Sequence, residues 1–376
     1  MRRLLILLSA VVAVDTMFFT ALAPLLPHFA ARYGLGKSGA GVLSAAYAAG
    51  VLAASVPGGL TASRFGPRPA VLVGVALTAV ATLGFGLAGD VTTLGAARLA
   101  QGVGSAFSWA GALAWLVSAG PASRRGMLIG TAMGAAVFGS LLGPALGAVA
   151  SAAGVRPTFA AVSAAGLVLC GFLAVTPGAP ARPQRLSALR RADRTFFIAI
   201  WLIVLPALLF GVVIVLVPLK LHDLGWGGVA IGALFLATAA IEVVLNPLLG
   251  RFADLRGLGR PVRVALIASI AVSLAFAWAT AGPVIAVLVL IAGLAYGAFY
   301  TPGMALLAES AERSGIAQGL AFGVMNLGWA AGAVIGPAAG GALAQVGGDA
   351  LPYLVLAGIC GLTLTYSQAR LRPSSS

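Results

Sequence analysis

The feature that most constrains this chain is a succession of apolar segments, each about 20 residues long, which recur along its whole length. A helix of that length crosses the ~30 Å hydrocarbon core of a bilayer. The segments are continuously apolar and do not alternate, which favours helices over the strands of a membrane barrel. Only 9% of the residues are charged, and a soluble protein could not cover its surface with so few. The sequence therefore predicts an all-α membrane protein.

Twelve segments meet this description and are numbered here as spans 1 to 12. They are predicted at 4–27, 39–58, 69–88, 91–117, 126–150, 156–176, 196–218, 228–248, 262–281, 283–307, 317–345 and 350–368. The loops between them, taken alternately, place eighteen arginines on one side and four basic residues on the other. Because cytoplasmic loops carry the excess of Lys and Arg, we expect both termini in the cytoplasm and the chain in a cytoplasmic (inner) membrane, bacterial in origin.

The chain also repeats itself about its midpoint. Gly130, Gly139 and the pair Gly143-Pro144 in span 5 recur in span 11, 193 residues later, as Gly323, Gly332 and Gly336-Pro337. Between the two copies lies a basic, proline-rich stretch at 177–195. We therefore predict a six-helix bundle at 1–176, a cytoplasmic linker at 177–195, and a second, pseudo-symmetric six-helix bundle with a short tail at 196–376. In transporters with such repeats, the substrate site lies between the halves.

Four motifs carry a resemblance to a known family. They are the loop GLTASRFGPR at 59–68, its copy GRFADLRG at 250–257, the sequence RLAQGVG at 98–104, and the glycine-proline pattern of span 5. The whole chain resembles the major facilitator superfamily, and within it the twelve-helix drug:proton antiporter branch. The antiporter pattern of span 5 usually ends in Gly-Gly, whereas this chain has Gly147-Ala148. The resemblance implies conformational roles for Gly59, Ser63, Arg64, Gly66, Arg68, Gly250, Asp254, Gly257, Gly139, Gly143, Pro144, Gly332, Gly336 and Pro337.

One of these positions departs from the family pattern. The resemblance implies that an acid in the loop after span 2 joins a charge network that holds the outward-open state. Ser63 occupies that position here, while the second copy keeps Asp254. Because a hydroxyl offers a hydrogen bond but no charge, we expect this latch to be weaker in the first half.

The glycines of spans 5 and 11 have two interpretations. They recur every four residues, so each set lies on one helix face, and small residues at this spacing let helices approach closely. Pro144 and Pro337 remove a backbone hydrogen bond and bend each helix. We expect these faces to form sliding contacts between the halves; the alternative is dense packing without a role in the transport cycle.

Asp15 and Arg98 are the charged residues predicted to carry proton coupling. Asp15 lies about 16 Å into span 1, and Arg98 about 10 Å from the outer end of span 4, so the two have similar depths. A charge at such depth is costly and should face the protein interior or a wet cavity. Asp15 is either a proton carrier or a permanently ionised partner of Arg98. The resemblance implicates this arginine in proton transfer; the alternative is a side chain that extends to the outer interface.

Glu242 in span 8 is a third intramembrane charge. It is either a second protonation site, or a group that pairs with a cationic substrate, or an anchor to the arginines of the following loop or to nearby backbone donors. Aromatic residues and one amide near the acids are candidates for lining a substrate cavity, although each suits a lipid-facing or core position equally. They are Met17, Phe18, Phe19, Gln101, Phe107, Trp109, Phe210 and Phe299.

These observations together predict a secondary transporter and not an enzyme. We expect proton-coupled efflux of small organic or drug-like compounds by alternating access, with the proton gradient as energy source and no cofactor. The basic residues occupy short loops without a basic face, so no nucleic-acid partner is expected despite the net charge of +14. No metal site and no ATP-binding motif is apparent, and one chain should suffice as a monomer. The alternatives are a carrier of one metabolite or sugar, or a transport-inactive receptor.

Overall fold

The computed structural model describes residues 2–119, 125–180, 186–256, 259–316 and 318–370, and these form helices and short connections without any strand. The first half consists of α1 Arg2–Thr20, α2 Leu26–Tyr33, α3 Lys37–Arg64, α4 Pro67–Leu87, α5 Val91–Ala119, α6 Arg125–Ala153 and α7 Val155–Ala174. The second half consists of α8 Arg194–Asp223, α9 Gly228–Arg256, α10 Gly259–Trp278, α11 Gly282–Gly297, α12 Tyr300–Arg313, α13 Gln318–Gly347 and α14 Ala350–Arg370.

These helices account for the twelve predicted spans. A 3-10 turn at Ala23–Leu25 joins α1 and α2 into span 1, and α11 with α12 forms span 10. By length and composition, nine spans in the described part of the chain can cross a membrane, and the apolar helices Gly228–Glu242 and Ala350–Tyr366 add two shorter ones. The remaining span is α5, which carries a row of polar residues. The prediction of an all-α, twelve-span membrane protein is confirmed.

The helix ends fall into two groups. The start of α1, the end of α7, the start of α8 and the end of α14 share one end of the molecule, which we call the proximal end. The opposite end, called the distal end, contains the start of α3, the end of α8, and the turn between α13 and α14. The connection to α8 includes a 3-10 helix at Leu186–Arg191, followed by Asp193 as the N-cap of α8.

Asp193 fixes the proximal end of the second half. Its carboxylate accepts hydrogen bonds from the Ser310 hydroxyl and, at 2.8 Å, from the Phe196 backbone N–H, and it pairs with Arg313 at 2.8 Å. The Ser310 hydrogen bond is the main cause that lowers the pKa of Asp193, and the cap and Arg313 add to it. The connection between the halves is thereby attached to α12.

The halves meet through α3 with α13 and through α6 with α9. At the distal end these contacts bring backbones together. A methyl group built on Gly41 would lie 2.2 Å from the Pro337 carbonyl oxygen, and one on Gly341 would lie 2.3 Å from the Lys37 carbonyl oxygen. On the other seam, a methyl on Gly232 would lie 3.0 Å from the Pro144 carbonyl oxygen. The structure is therefore closed between its halves at the distal end.

The predicted contact face of spans 5 and 11 is corrected by the structure. A methyl group on Gly139 would overlap the Ala13 carbonyl oxygen at 2.1 Å, and one on Gly143 the Thr20 hydroxyl at 1.8 Å, both in α1. In the second half, methyl groups on Gly332 and Gly336 would lie 2.6 Å from carbonyl oxygens of α8. The glycine faces thus join each helix to the first span of its own half. The contacts between the halves use other faces of α6 and α13, because the glycine faces are already filled.

An ion pair also joins the halves at the distal end. Lys37 of the first half contacts Asp349 of the second, and Lys220, also of the second half, lies 3.7 Å from the same carboxylate. Lys37 and Asp349 are about one-third exposed. Exposed pairs of this kind contribute roughly 0.2–1 kcal/mol.

The ion pair leads to a prediction about the conformational equilibrium. We expect Lys37→Met to reduce the ratio of distal-closed to distal-open molecules by up to about fivefold, measured by double electron–electron resonance between distal spin labels. Lys220→Met is the matched control, because it removes an equivalent charge near Asp349 without breaking a contact between the halves. Equal shifts from the two variants would show that the Lys37 pair does not hold this end closed.

Candidate functional site

The centre of the candidate site is the Asp15 carboxylate on α1, which is 4% exposed. Its Oδ2 accepts hydrogen bonds from the Ser105 hydroxyl at 2.7 Å, the Trp109 indole N–H at 2.7 Å and the Tyr47 hydroxyl at 3.1 Å. Three donors on one oxygen offset much of the cost of burying a carboxylate charge. Helices α3 and α5 therefore hold Asp15 in one orientation.

The other carboxylate oxygen differs from the first. Asp15 Oδ1 is buried and has no hydrogen-bond partner among the described residues. A proton can therefore be added at Oδ1 without breaking any of the three bonds to Oδ2. This asymmetry lets one carboxyl group exist as an anion or as a neutral acid within the same packing.

Arg98 lies nearby on α5, and its guanidinium caps the end of α1. It donates to the carbonyl oxygens of Phe18 at 2.8 Å and Phe19 at 3.3 Å, within the last turn of α1. Carbonyls in that position lack intrahelical partners, and a cation there is favoured by the helix dipole. Arg98 is 2% exposed, so the alternative in which it extends to the membrane interface is wrong.

Asp15 and Arg98 do not form an ion pair in the described structure; Tyr47 lies between them. The Tyr47 hydroxyl donates to Asp15, and the Arg98 guanidinium carbon lies 4.9 Å from the centre of the Tyr47 ring. A cation over a ring face is attracted by the ring quadrupole. The hypothesis that Asp15 is a direct partner of Arg98 is thus corrected: Tyr47 contacts both groups and stands between them.

The donors on α5 belong to a row that the sequence contains. Arg98, Gln101, Ser105 and Trp109 are three or four residues apart and share one helix face. Gln101 accepts from Arg98 at 3.1 Å and donates to Thr82 at 3.1 Å, so it is bonded inside the first half. From the sequence, the spacing of this row could have identified Ser105 as a donor to Asp15. No sequence pattern identifies Tyr47 as a donor.

The predicted cavity residues divide by exposure. Phe18 and Phe299 are 2% and 0% exposed, and their burial places them in the core in this conformation. Phe19, Phe107 and Phe210 are partly exposed. These three remain candidates for contact with a substrate.

Phe19 also joins the site to the second half. Its ring centre lies 5.4 Å from that of Tyr47 and 5.0 Å from that of Trp329 on α13. Trp329 is partly exposed and lies beside Tyr300 on α12. No sequence motif specifies Trp329. The aromatic contact connects the carboxylate site to the surface between the halves.

Glu242 lies apart from this cluster, in the second half. Its carboxylate is close to Gly293 on α11, where an added methyl group would lie 2.8 Å from Oε1. Among the described residues it forms no hydrogen bond or ion pair. Of the loop arginines proposed as its anchors, Arg251 and Arg256 have side chains outside the described set, and Arg260 is exposed. A role for Glu242 stays a prediction.

The loop motifs are only partly described. Gly66 adopts a φ of 95°, and Arg68 donates to the Ala174 carbonyl oxygen at the end of α7. Gly59 and Arg64 are exposed. The side chains of Ser63 and Asp254, the surroundings of Gly250, and the whole of Gly257 lie outside the described residues. The expected latch therefore stays a prediction.

No metal cluster is present in the part of the chain that the structure describes. There, no group of three or more His, Cys, Asp or Glu side chains comes together.

Comparisons with known proteins agree with this architecture. The sequence pattern of the Major Facilitator Superfamily matches residues 8–332. A probable vesicular acetylcholine transporter of Danio rerio is 30% identical over 170 residues, 42% of this chain and 34% of the relative. The chain therefore matches about a third of that curated relative's length.

Solved structures show the same fold over the full length. A bacterial homologue of the human lysosomal transporter spinster, inward-facing and unoccupied, superimposes with a TM-score of 0.78 at 15% identity, covering 100% of this chain and 99% of the other. A D-xylose-proton symporter gives 0.77 at 19% identity, covering 99% and 97%. With the family pattern spanning most of its helices, the chain belongs to the Major Facilitator Superfamily, a family of membrane transporters and not of enzymes.

Proposed function

We propose that this transporter exports small organic cations in exchange for protons, with Asp15 as the proton carrier. The observation that carries the proposal is the Asp15 carboxylate, buried in a membrane helix, with three donors on one oxygen and none on the other. Structural anchors usually have both oxygens bonded, since an unbonded buried oxygen is costly. An oxygen that must accept a proton has to be kept free of protein donors, so that a mobile proton donor can reach it.

The same cluster offers a means of coupling. Protonation of Asp15 removes a negative charge beside Tyr47, and Tyr47 contacts Phe19, which contacts Trp329 of the opposite half. Coupling requires that the proton and the substrate bind the two conformations unequally. The aromatic contact is formed in this distal-closed structure, so it provides a place where the charge on Asp15 can bias the position of the halves.

The substrate class follows from the exposed part of the site. Partly exposed rings of Phe19 and Trp329 lie near a buried acid, a combination that attracts an organic cation. Similarity to a vesicular acetylcholine transporter agrees with that class. The structural neighbour that is a xylose-proton symporter keeps open the second candidate, a sugar or metabolite carrier.

Orientation and energetics complete the proposal. We infer from the arginine asymmetry that the proximal end faces the cytoplasm, so the distal-closed structure represents an inward-facing state. The protein would act as a monomer in a bacterial cytoplasmic membrane, with the proton gradient as its energy source and no cofactor. A transport-inactive receptor is disfavoured, because the buried acid with a free oxygen would then have no use.

Purified protein in liposomes with an imposed pH gradient tests this proposal. Addition of acetylcholine or ethidium should dissipate the gradient, and labelled substrate should accumulate against its own concentration gradient. D-xylose should do neither. Dissipation by xylose alone would support the sugar carrier, and movement of the cations without any proton flux would remove the antiport proposal.

A further inference from the structure

We propose that a single ordered water molecule, bound in a small chamber inside the first half, delivers the proton to Asp15. The chamber lies among α1, α4, α5 and α7, and its polar lining comes from Asp15, Thr78 and Ser108. This inference rests on the proposed role of Asp15 and adds the route by which its proton arrives.

Two unpartnered oxygens carry the inference. Asp15 Oδ1 and Thr78 Oγ1 are both buried without a hydrogen-bond partner among the described residues, and both residues line this chamber. Asp15 is 4% and Thr78 5% exposed. Leaving two such groups unsatisfied is costly, typically about 1–3 kcal/mol each. One molecule bonded to both would remove that cost.

The size of the chamber selects water. The centre of a water-sized sphere can occupy about 20 Å³ of the chamber. A site for a single water needs roughly 10–15 Å³ of such volume. The remaining lining is apolar, including Val11, Val75 and Leu169. An organic substrate does not fit, and two or three polar partners suit one water.

The position of the chamber separates the proton from the substrate. The donors Tyr47, Ser105 and Trp109 all bind Oδ2. The chamber lies on the side of α4 and α7, inside the first half, and not at the surface between the halves where a substrate would bind. In the transfer step an O–H bond of the protonated water breaks as an O–H bond to Oδ1 forms. The water is protonated by the aqueous medium before the transfer and is neutral water after it, so charge and atoms balance.

Few other charges act on this step. The titratable group that faces Asp15 from α3 is Tyr47, with Arg98 of α5 beyond its ring. The residues that line the chamber from α4 and α7 are uncharged. Cys170, which follows the lining residue Leu169 in α7, directs its thiol to the Leu72 carbonyl oxygen at 3.9 Å. Thr78 is therefore a positioning residue, acting through the water it binds.

Infrared difference spectroscopy tests the water site without requiring transport. The carbonyl band of protonated Asp15 is identified by its loss in Asp15→Asn. In Thr78→Val, which keeps the shape and removes the hydroxyl, this band should move to higher frequency because its hydrogen bond weakens. Thr78→Ser should restore the wild-type position. Val75→Leu, which fills the chamber with one methylene, should reproduce the shift.

Transport measurements test the relay. Proton-driven uptake by Thr78→Val should fall by about tenfold or more, whereas substrate counterflow, which needs no net proton movement, should be unchanged. An unshifted band in Thr78→Val would refute the water site. A shifted band with full proton-driven uptake would refute the relay. Absence of proton-driven uptake in the wild type would instead refute the proposed function, while the band position would still decide whether the water is present.

Discussion

Proton-driven transport is expected to be lost in Asp15→Asn, by about 100-fold or more, while downhill exchange of substrate continues. Asparagine has the shape of the acid, and its side-chain oxygen can accept the bonds from Ser105, Trp109 and Tyr47. It cannot take up or release a proton. The fold should therefore survive, and only the coupling should be lost. Uptake into liposomes with and without a pH gradient measures both.

Glu242→Gln is the matched control for this experiment. It neutralises a partly exposed carboxylate on a membrane helix of the second half, away from the aromatic cluster. If Asp15 alone carries the proton, Glu242→Gln should keep gradient-driven uptake. Full gradient-driven uptake by Asp15→Asn would contradict the assignment, and equal losses in both variants would indicate a two-site mechanism.

The sequence predicted the membrane fold well because the signals are local. The length of each apolar segment identifies a span, and the unequal distribution of arginines between alternate loops tests the number of spans. Asp15 and Arg98 were predicted to lie at similar depths, and in the structure Arg98 contacts the carbonyls of Phe18 and Phe19, within about one turn of Asp15. The prediction worked because the helical rise fixes the position of a residue along the membrane normal. Rotation about the helix axis is not fixed in this way. For that reason the sequence could not show that Tyr47, from α3, would stand between the two charges.

Packing partners were the least predictable part. A row of glycines predicts that another helix packs closely against it, but it does not determine which helix, because any helix with a smooth face can do so. The structure assigns the row of Gly139 and Gly143 to α1 of the same half. Likewise, Lys37 and Asp349 are 312 residues apart, and no local pattern links two loop charges at that separation. Such contacts depend on how the two bundles are oriented.

The contact between Gly41 and Pro337 can be used to shift that orientation. A methyl group on Gly41 would lie 2.2 Å from a backbone oxygen of the other half, and backbone cannot move aside as a side chain can. Overpacking of this kind costs roughly 1–3 kcal/mol. The cost applies only while the distal ends touch, so Gly41→Ala should shift the equilibrium toward the distal-open state by about 5–150-fold.

Spin labels on the distal ends measure this shift. Val346 on α13 is 89% exposed, and Arg32 on α2 is also exposed, so labels at these positions, with Cys170 and Cys360 replaced, report the separation of the halves.

Gly341→Ala, whose added methyl group would overlap the Lys37 carbonyl oxygen at 2.3 Å, should act like Gly41→Ala. Gly95→Ala is the matched control, since its methyl group meets open space and brings the same gain in helix propensity. A distance distribution unchanged by Gly41→Ala would mean that the distal seam tolerates the methyl and that close backbone contact does not decide the state. A lengthened distance, with faster access of labels to reagents in the external medium, would establish this seam as the gate that must open for release.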